Sequence, residues 1–458
     1  MRIPWMLAIS TLLFGLATPL DAAPPADASP KVGGEVYSAL GHSSKVRVLI
    51  AFQEAQPHGA AAQRRADIEG KADALLAALP AGSHSVKRRF ELVPALALEV
   101  DEHGLQGLAH HPDVLRVDVD APGSGQLAEA KQLAHIMDVP SGAKLASGGG
   151  KIAIVDSGID LTHPDFQNRI VGQQCYCSNG SGEGGCCPNG MDSMSGPGSA
   201  QDDNGHGTNV AGIAAGGGAV ALPGAAPDAA IVAVKVLDSG SAFCCSSDVV
   251  SALDWIRINH PDTLAVNTSL GTDALFSGDC DGATSYTIAL AAAVGNLVSN
   301  GTMVFAASGN RAAPNSTSAP ACLFAAVSVG AVWDAELQDT TFMGCTDTNI
   351  EPDKPTCFTN SGASVDLYAP GAFVTASGLG GTTSTYGGTS QASPLAAGCA
   401  TVLRSAFPEA TPDEIAAALK ASPTRITDPK NGLEFARLDC ANAMLRLDGD
   451  TLFADEYE

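Results

Sequence analysis

Five runs of apolar residues constrain what this chain can fold into. They are KIAIVD (151–156), AIVAVKVLD (230–238), TLAVNTSLG (263–271), TMVFAASGN (302–310) and FAAVSVGAV (324–332). Each is rich in Val, Ile and Ala, and none alternates apolar with polar residues. Runs of this kind suit strands whose two faces are both covered, as in a parallel sheet. Helix-like segments separate them at 206–216, 247–258 and 283–299. A long helix starts near Ser390, and another covers about 412–421. Alternating β and α elements predict an α/β domain with a doubly wound, mostly parallel sheet. Active groups in such sheets collect beyond the carboxyl ends of the strands. No tandem repeat of the solenoid kind is present.

The chain has 458 residues, enough for more than one domain. Apolar residues make up 45% and charged residues 16%, which excludes a disordered polyelectrolyte. The net charge of −24 opposes binding to phosphate backbones, so nucleic acid is not an expected partner. Arg2, the apolar run Trp5–Ala17 and small residues at Ala22 and Ala23 form the pattern of a secretory signal peptide over residues 1–22. No later run predicts a membrane anchor, and the tail at 447–458 is acidic. All 12 Cys follow the signal, between Cys175 and Cys440. In an oxidising compartment an even count predicts disulfides, up to six, with the pairing open. Cys175, Cys177, Cys186 and Cys187 have CxC and CC spacings rather than the CxxC pairs of zinc folds, so no metal is expected there.

Residues 24–44 are rich in Pro, Ala, Gly and Ser and read as a linker. A compact unit follows. VRVLIAF, SVKRRFEL, PALALEV and DVLRVDVD read as strands, with helices over 60–79 and 102–110. The order β-α-β-β-α-β is the split βαβ arrangement of ferredoxin-like α+β folds. PGSGQ (122–126) marks its end.

Three segments carry chemistry. Asp156 ends the first buried strand in IVDSGID, and Gly158 permits a sharp turn after it. His206 lies between two glycines in DDNGHGTNVAGIAA (202–215), at the start of a helix of small residues. The positive helix end disfavours the imidazolium, and a neutral imidazole is what a general base requires. His163 and His260 precede proline, which suits turns better than base chemistry. Ser390 follows two glycines in YGGTSQASPLAAG (386–398) and opens a helix, where its own N–H has no helical acceptor.

IVDSGID, NGHGTNVAG and GGTSQASP together resemble the three signatures of the subtilisin-like serine protease family, in the order Asp, His, Ser. The resemblance covers roughly residues 127–440. It implies a serine endopeptidase with Ser390 as nucleophile, His206 as base and Asp156 as the group that orients the histidine. Asn310, closing VFAASGN, matches the family's oxyanion asparagine. Ser269, Leu270 and Gly271 match the strand that pairs with an extended substrate, and Ser308 and Gly309 match its counterpart across the cleft. Arg311 falls near the first specificity pocket and implies an acidic or neutral residue before the cut. The N-terminal α+β unit resembles the family's inhibitor-like propeptide. These resemblances divide the chain into a signal peptide (1–22), linker and propeptide (23–126), catalytic domain (127–446) and tail (447–458). They imply a secreted, self-processing, monomeric zymogen whose partners are peptide substrates and its own propeptide, cut near residues 120–127. No cofactor is required for catalysis. A non-catalytic peptide binder is disfavoured because all four chemical positions are intact, and an esterase because segments for extended peptides are present.

The sequence also departs from the family pattern. Asn209 stands where the family usually has a second histidine. The 50-residue gap from Asp156 to His206 holds a Cys-rich segment (173–200), read as a disulfide-braced loop beside the cleft that takes part in substrate selection. The loop that holds calcium in the family reads GGGAVALPG (216–224), without a carboxylate or amide side chain. Asp165 matches one ligand, but a hard cation wants several oxygens, which argues against structural calcium there. Residues 334–361 form a second Cys-bearing insertion.

Overall fold

The computed structural model describes residues 29–54, 60–121, 123–125, 134, 136, 150–180 and 184–449. The expected signal peptide and most of the acidic tail lie outside them.

Chain order begins with a small unit. Helix α1 (Gly34–His42) lies inside the stretch read as a linker, so that reading is corrected. Its buried Val36 joins the unit's core, and this contact gives a short, glycine-flanked segment its reason to be helical. Strands β1 (Val46–Phe52), β2 (His84–Arg89), β3 (Ala95–Val100) and β4 (Val114–Val119) form an antiparallel sheet in the order β2-β3-β1-β4. Helices α2 (Ala61–Ala78) and α3 (Glu102–His110) complete the β-α-β-β-α-β order expected from the sequence. Val48, Ile50, Leu96 and Leu98 pack with Ile68, Leu75, Leu105 and Leu108 on one face of the sheet. Leu49, Ala95 and Ala97 point to the opposite face, as the period of two requires.

Strand β5 (Gly123–Gly125) follows, and then the large sheet begins with β6 (Lys151–Asp156). Next come β7 (Ile170–Tyr176), β8 (Ser193–Ser195), helix α4 (His206–Ala215), β9 (Ala230–Lys235) and β10 (Ala242–Phe243). Helix α5 (Ser246–Asn259), β11 (Ala265–Thr268), β12 (Leu270–Thr272), β13 (Leu275–Phe276) and helix α6 (Ser285–Val298) continue the chain. Then follow β14 (Met303–Ala307), β15 (Thr317–Ser318), β16 (Val327–Val332) and the hairpin β17 (Thr340–Phe342) and β18 (Cys345–Asp347). The last third holds β19 (Leu367–Pro370), β20 (Val374–Gly378), β21 (Thr382–Tyr386), α7 (Thr389–Ala406), α8 (Pro412–Lys420), β22 (Arg425–Thr427), β23 (Glu434–Arg437) and α9 (Cys440–Leu447).

The large sheet runs β22-β23-β19-β16-β14-β11-β6-β9-β7-β8, and its central pairs are parallel. Successive residues of one strand enter different cores. Ile152 and Ile154 pack with α4, α7 and α8, whereas Ala153 and Val155 pack with α5 and α6. Two covered faces explain why these strands do not alternate in sequence. Leu49, Ala95 and Ala97 share the second core, so α5 and α6 lie between the large sheet and the N-terminal sheet.

The cysteines pair as Cys175–Cys187, Cys177–Cys186, Cys244–Cys245, Cys280–Cys322, Cys345–Cys357 and Cys399–Cys440. None is free. The cluster at 175–187 is thus a two-rung ladder of disulfides.

Candidate active site

Asp156 is the last residue of β6, and His206 is the first of α4. Gly205, at φ 104°, turns the chain into that helix. Asp202 braces the turn. Its carboxylate accepts from the amides of Asn204 (2.9 Å), Gly205 (3.0 Å) and Thr208 (3.0 Å) and from the Ser157 hydroxyl (2.9 Å). Gly207 is needed for close approach, since a Cβ there would stand 2.1 Å from the Gly158 carbonyl. The result is a hydrogen bond of 2.6 Å from His206 Nδ1 to Asp156 Oδ1, with both side chains fully buried. An imidazole held through Nδ1 presents Nε2 for proton transfer.

Ser390 sits in the first turn of α7 and is buried. Its hydroxyl donates to the Ser269 carbonyl at 3.2 Å, and its own carbonyl accepts from Ser269 Oγ at 2.6 Å. Asn267 donates to Ser269 Oγ (2.9 Å) and accepts from Ser393 (2.7 Å), so a polar chain fixes this turn against β11. The helices carrying His206 and Ser390 are tied by Gln391, which donates to Asn209 at 3.2 Å. Asn209 also donates to the Ser384 carbonyl at 3.1 Å. This is the local bonding made by the residue that replaces the family's second histidine.

Asn310 follows β14. Its Oδ1 accepts from the Thr389 amide and hydroxyl, both at 2.9 Å. That pairing fixes the amide orientation, and Nδ2 has no hydrogen-bond partner among the described residues. A buried donor kept without an acceptor, one residue from Ser390 through Thr389, can receive a negative oxygen.

The other site residues are divided between cleft and surface. Leu270 and Gly271 pair antiparallel with Gly125 and Ser124, and Ala242 pairs with Ser124 from the other side. The chain at 123–125 thus runs between β10 and β12 as the middle strand of a three-stranded sheet. Ser308 donates to the Asn360 carbonyl (2.9 Å), while Asn360 donates back to the Ser308 carbonyl (3.1 Å). Gly309 takes φ 106°, and a Cβ on it would lie 2.3 Å from Asn360 Nδ2. Arg311 turns outward and pairs with the Asp273 carboxylate and carbonyl. The sequence reading missed Ser318, whose buried hydroxyl has no partner among the described residues and would contact a Cβ on Gly271 at 2.2 Å. It also missed Asn267, Thr389 and Asn360. Only the position of Thr389 within GGTSQASP hinted at a role.

Asp165 stands where the family holds one calcium ligand. Asp165 accepts from the amides of Ala219 (2.6 Å), Val220 (2.8 Å) and Ala221 (3.2 Å) and from the Ser377 hydroxyl (2.7 Å). Burial works to raise its pKa, but the hydrogen bonds from Ser377 and these amides outweigh burial and hold it below the ordinary value. A carboxylate surrounded by N–H and O–H donors does not fit a cation site, which needs further oxygens facing the ion.

The fold, with these groups at the rim of its sheet, defines a class of protein, the serine endopeptidases of α/β architecture. Residues 147–436 match the model of the subtilase family. Subtilisin E of Bacillus subtilis (strain 168) is 30% identical over 345 residues, covering 74% of this chain and 78% of that protein. An extracellular serine proteinase of Thermus sp. (strain Rt41A) is 30% identical over 335 residues, covering 71% and 69%. M-protease of Shouchella clausii (strain KSM-K16) is 30% identical over 369 residues, covering 80% and 83%. The chain belongs to the subtilase family. No helix among the described residues is long and apolar enough to cross a membrane.

Proposed function

We propose that the protein is a secreted zymogen whose mature form cuts internal peptide bonds through Asp156, His206 and Ser390. The observation that carries this reading is the buried Asp156–His206 bond, with Ser390 and Asn310 joined to the same rim through Thr389. Ser390 exchanges its hydrogen bond to Ser269 for one to His206 Nε2. Its Oγ then attacks the substrate carbonyl as its proton passes to the imidazole. Asp156 holds the resulting imidazolium in place. The carbonyl π electrons move to oxygen, which is received by Asn310 Nδ2 and the Ser390 amide. The intermediate collapses as the C–N bond breaks, and His206 gives its proton to the leaving amine. Water then repeats the sequence on the acyl-enzyme and restores Ser390.

Residues 23–126 act as the propeptide. Three observations support this. The 123–125 strand occupies the groove between β10 and β12 in the manner of an extended substrate. Asp120 accepts from the Ser247 amide (2.8 Å) and hydroxyl at the start of α5, and Asp118 from the Ser285 amide at the start of α6. These carboxylates satisfy helix ends that otherwise face water. His206 and Ser390 are each 0% exposed in the uncut chain, which suits an enzyme awaiting activation. The register pairs Gly125 with Leu270, and Ser269 is the residue that holds Ser390, so self-cleavage falls after residue 126. Expression of Ser390→Ala tests this. The variant accumulates as the uncut precursor, while the wild-type mature chain begins at Leu127. Normal trimming of Ser390→Ala contradicts self-processing.

A further inference from the structure

The Cys-rich insertion touches the turn after Asp156 through Ala200, whose carbonyl accepts from the Ile159 amide at 2.9 Å. Others of its described residues meet the N-terminal unit at Arg88 of β2. A β-bulge between Val86 and Arg88 breaks the pairing with β3 and aims that side chain out of the sheet. Arg88 Nη1 donates to Asp192 Oδ2 at 3.1 Å, and Nη2 donates to the Asp192 carbonyl (2.7 Å) and to Asp248 Oδ1 (3.0 Å). Ser178 Oγ lies 3.4 Å from Nη2, and the guanidinium carbon stands 5.5 Å from the centre of the Tyr176 ring. The Arg88 side chain is 10% exposed and that of Asp248 is 1% exposed.

The pocket is built rather than incidental. Tyr176 lies between Cys175 and Cys177, the first partners of the two disulfides, and Ser178 follows directly. Asp248 is fixed by the Ser178 amide (2.7 Å) and hydroxyl (3.0 Å). Burial pushes the Asp248 carboxyl above its ordinary pKa, and among the influences that pull it down Arg88 is the largest. A planar fork of donors, two carboxylates and an aromatic face are the elements that select guanidinium over ammonium.

We propose that the doubly cross-linked insertion is a guanidinium receptor that grips Arg88 and sets how long the cut propeptide stays on the enzyme. This rests on the zymogen reading above. It gives the insertion a role in timing activation in place of the substrate selection expected from sequence. Removing one member of a buried ion pair acts chiefly on the dissociation rate.

The test follows purified full-length chain through two events, the cut on a gel and the rise of activity on a fluorogenic peptide. Wild type shows the cut first and activity after a lag. Arg88→Ala keeps the rate of the cut and shortens the lag by about 100-fold. Arg89→Ala serves as control, since Arg89 pairs with Asp73 inside the N-terminal unit and at the surface. Should Arg88→Ala yield no folded precursor, Arg88→Lys, which keeps the charge and loses the fork, is read in the same way. A lag unchanged in the Arg88 variant, or shortened equally in Arg89→Ala, overturns the receptor while leaving the zymogen intact. Wild type with no lag overturns the zymogen reading and the receptor with it.

Discussion

The proposed mechanism rests on how the Asn310 amide is held. Thr389 uses its amide and hydroxyl to hold Oδ1, and Nδ2 is left without an acceptor. Leaving a buried donor unmade costs about 1–3 kcal/mol, so such a group persists where something else binds it. Asn310→Ala is expected to lower kcat by roughly 100–1,000-fold with little change in KM, because the donor acts on charge that exists only in the transition state. Steady-state kinetics on a peptide amide measures this; a loss confined to KM contradicts the assignment. Asp156, His206 and Ser390 were legible because each sits at the end of an element beside glycines that sequence displays. Asn267, Asn360 and Ser318 were not, since nothing local separates them from ordinary strand and loop residues. Their roles come from neighbours distant in the chain.

At the scale of elements, α5 is the seam between the two sheets. Its Asp254 accepts from the Glu91 amide at 2.8 Å and faces Glu91 and Arg65 of the N-terminal unit and Tyr176 of β7. Burial raises its pKa from 3.8 to about 6, against hydrogen bonds from the Glu91 and Leu92 amides. A raised carboxyl pKa means that the folded precursor binds this proton more tightly than the unfolded chain does. The stability it adds is full below 3.8 and is lost as pH rises through about 6. Thermal melts of the Ser390→Ala precursor between pH 4 and 7 should show this fall, and Asp254→Asn should flatten it. An unchanged slope in Asp254→Asn would place the titrating group elsewhere. The five strands read from apolar runs were legible because both faces are buried. Strands β19 (LYAP) and β23 (EFAR) were not read because Pro, Glu and Arg break up the apolar run that marks the other five. Helix α1 was hidden by a glycine-rich composition that resembles a linker. The disulfide map needed three dimensions, since Cys399 and Cys440 join α7 to α9 across 41 residues.

Across the whole molecule, one core layer serves two purposes. Helices α5 and α6 close the face of the large sheet, and they also receive Leu49, Ala95 and Ala97 of the N-terminal unit. On the zymogen reading, release of that unit exposes apolar surface and leaves Asp248 without its Arg88 partner, which makes release costly. Ser390 is buried, and the 123–125 strand pairs with β12 in the groove that the proposed mechanism assigns to substrates. Activity therefore depends on whether three buried side chains, far apart in sequence, act as one nucleophilic unit. The most direct measurement treats processed enzyme with a serine-directed phosphonate and locates the adduct by mass spectrometry. Stoichiometric labelling at Ser390 is expected, with loss of peptidase activity in step. Labelling at another serine, or full activity with Ser390 unmodified, would contradict it.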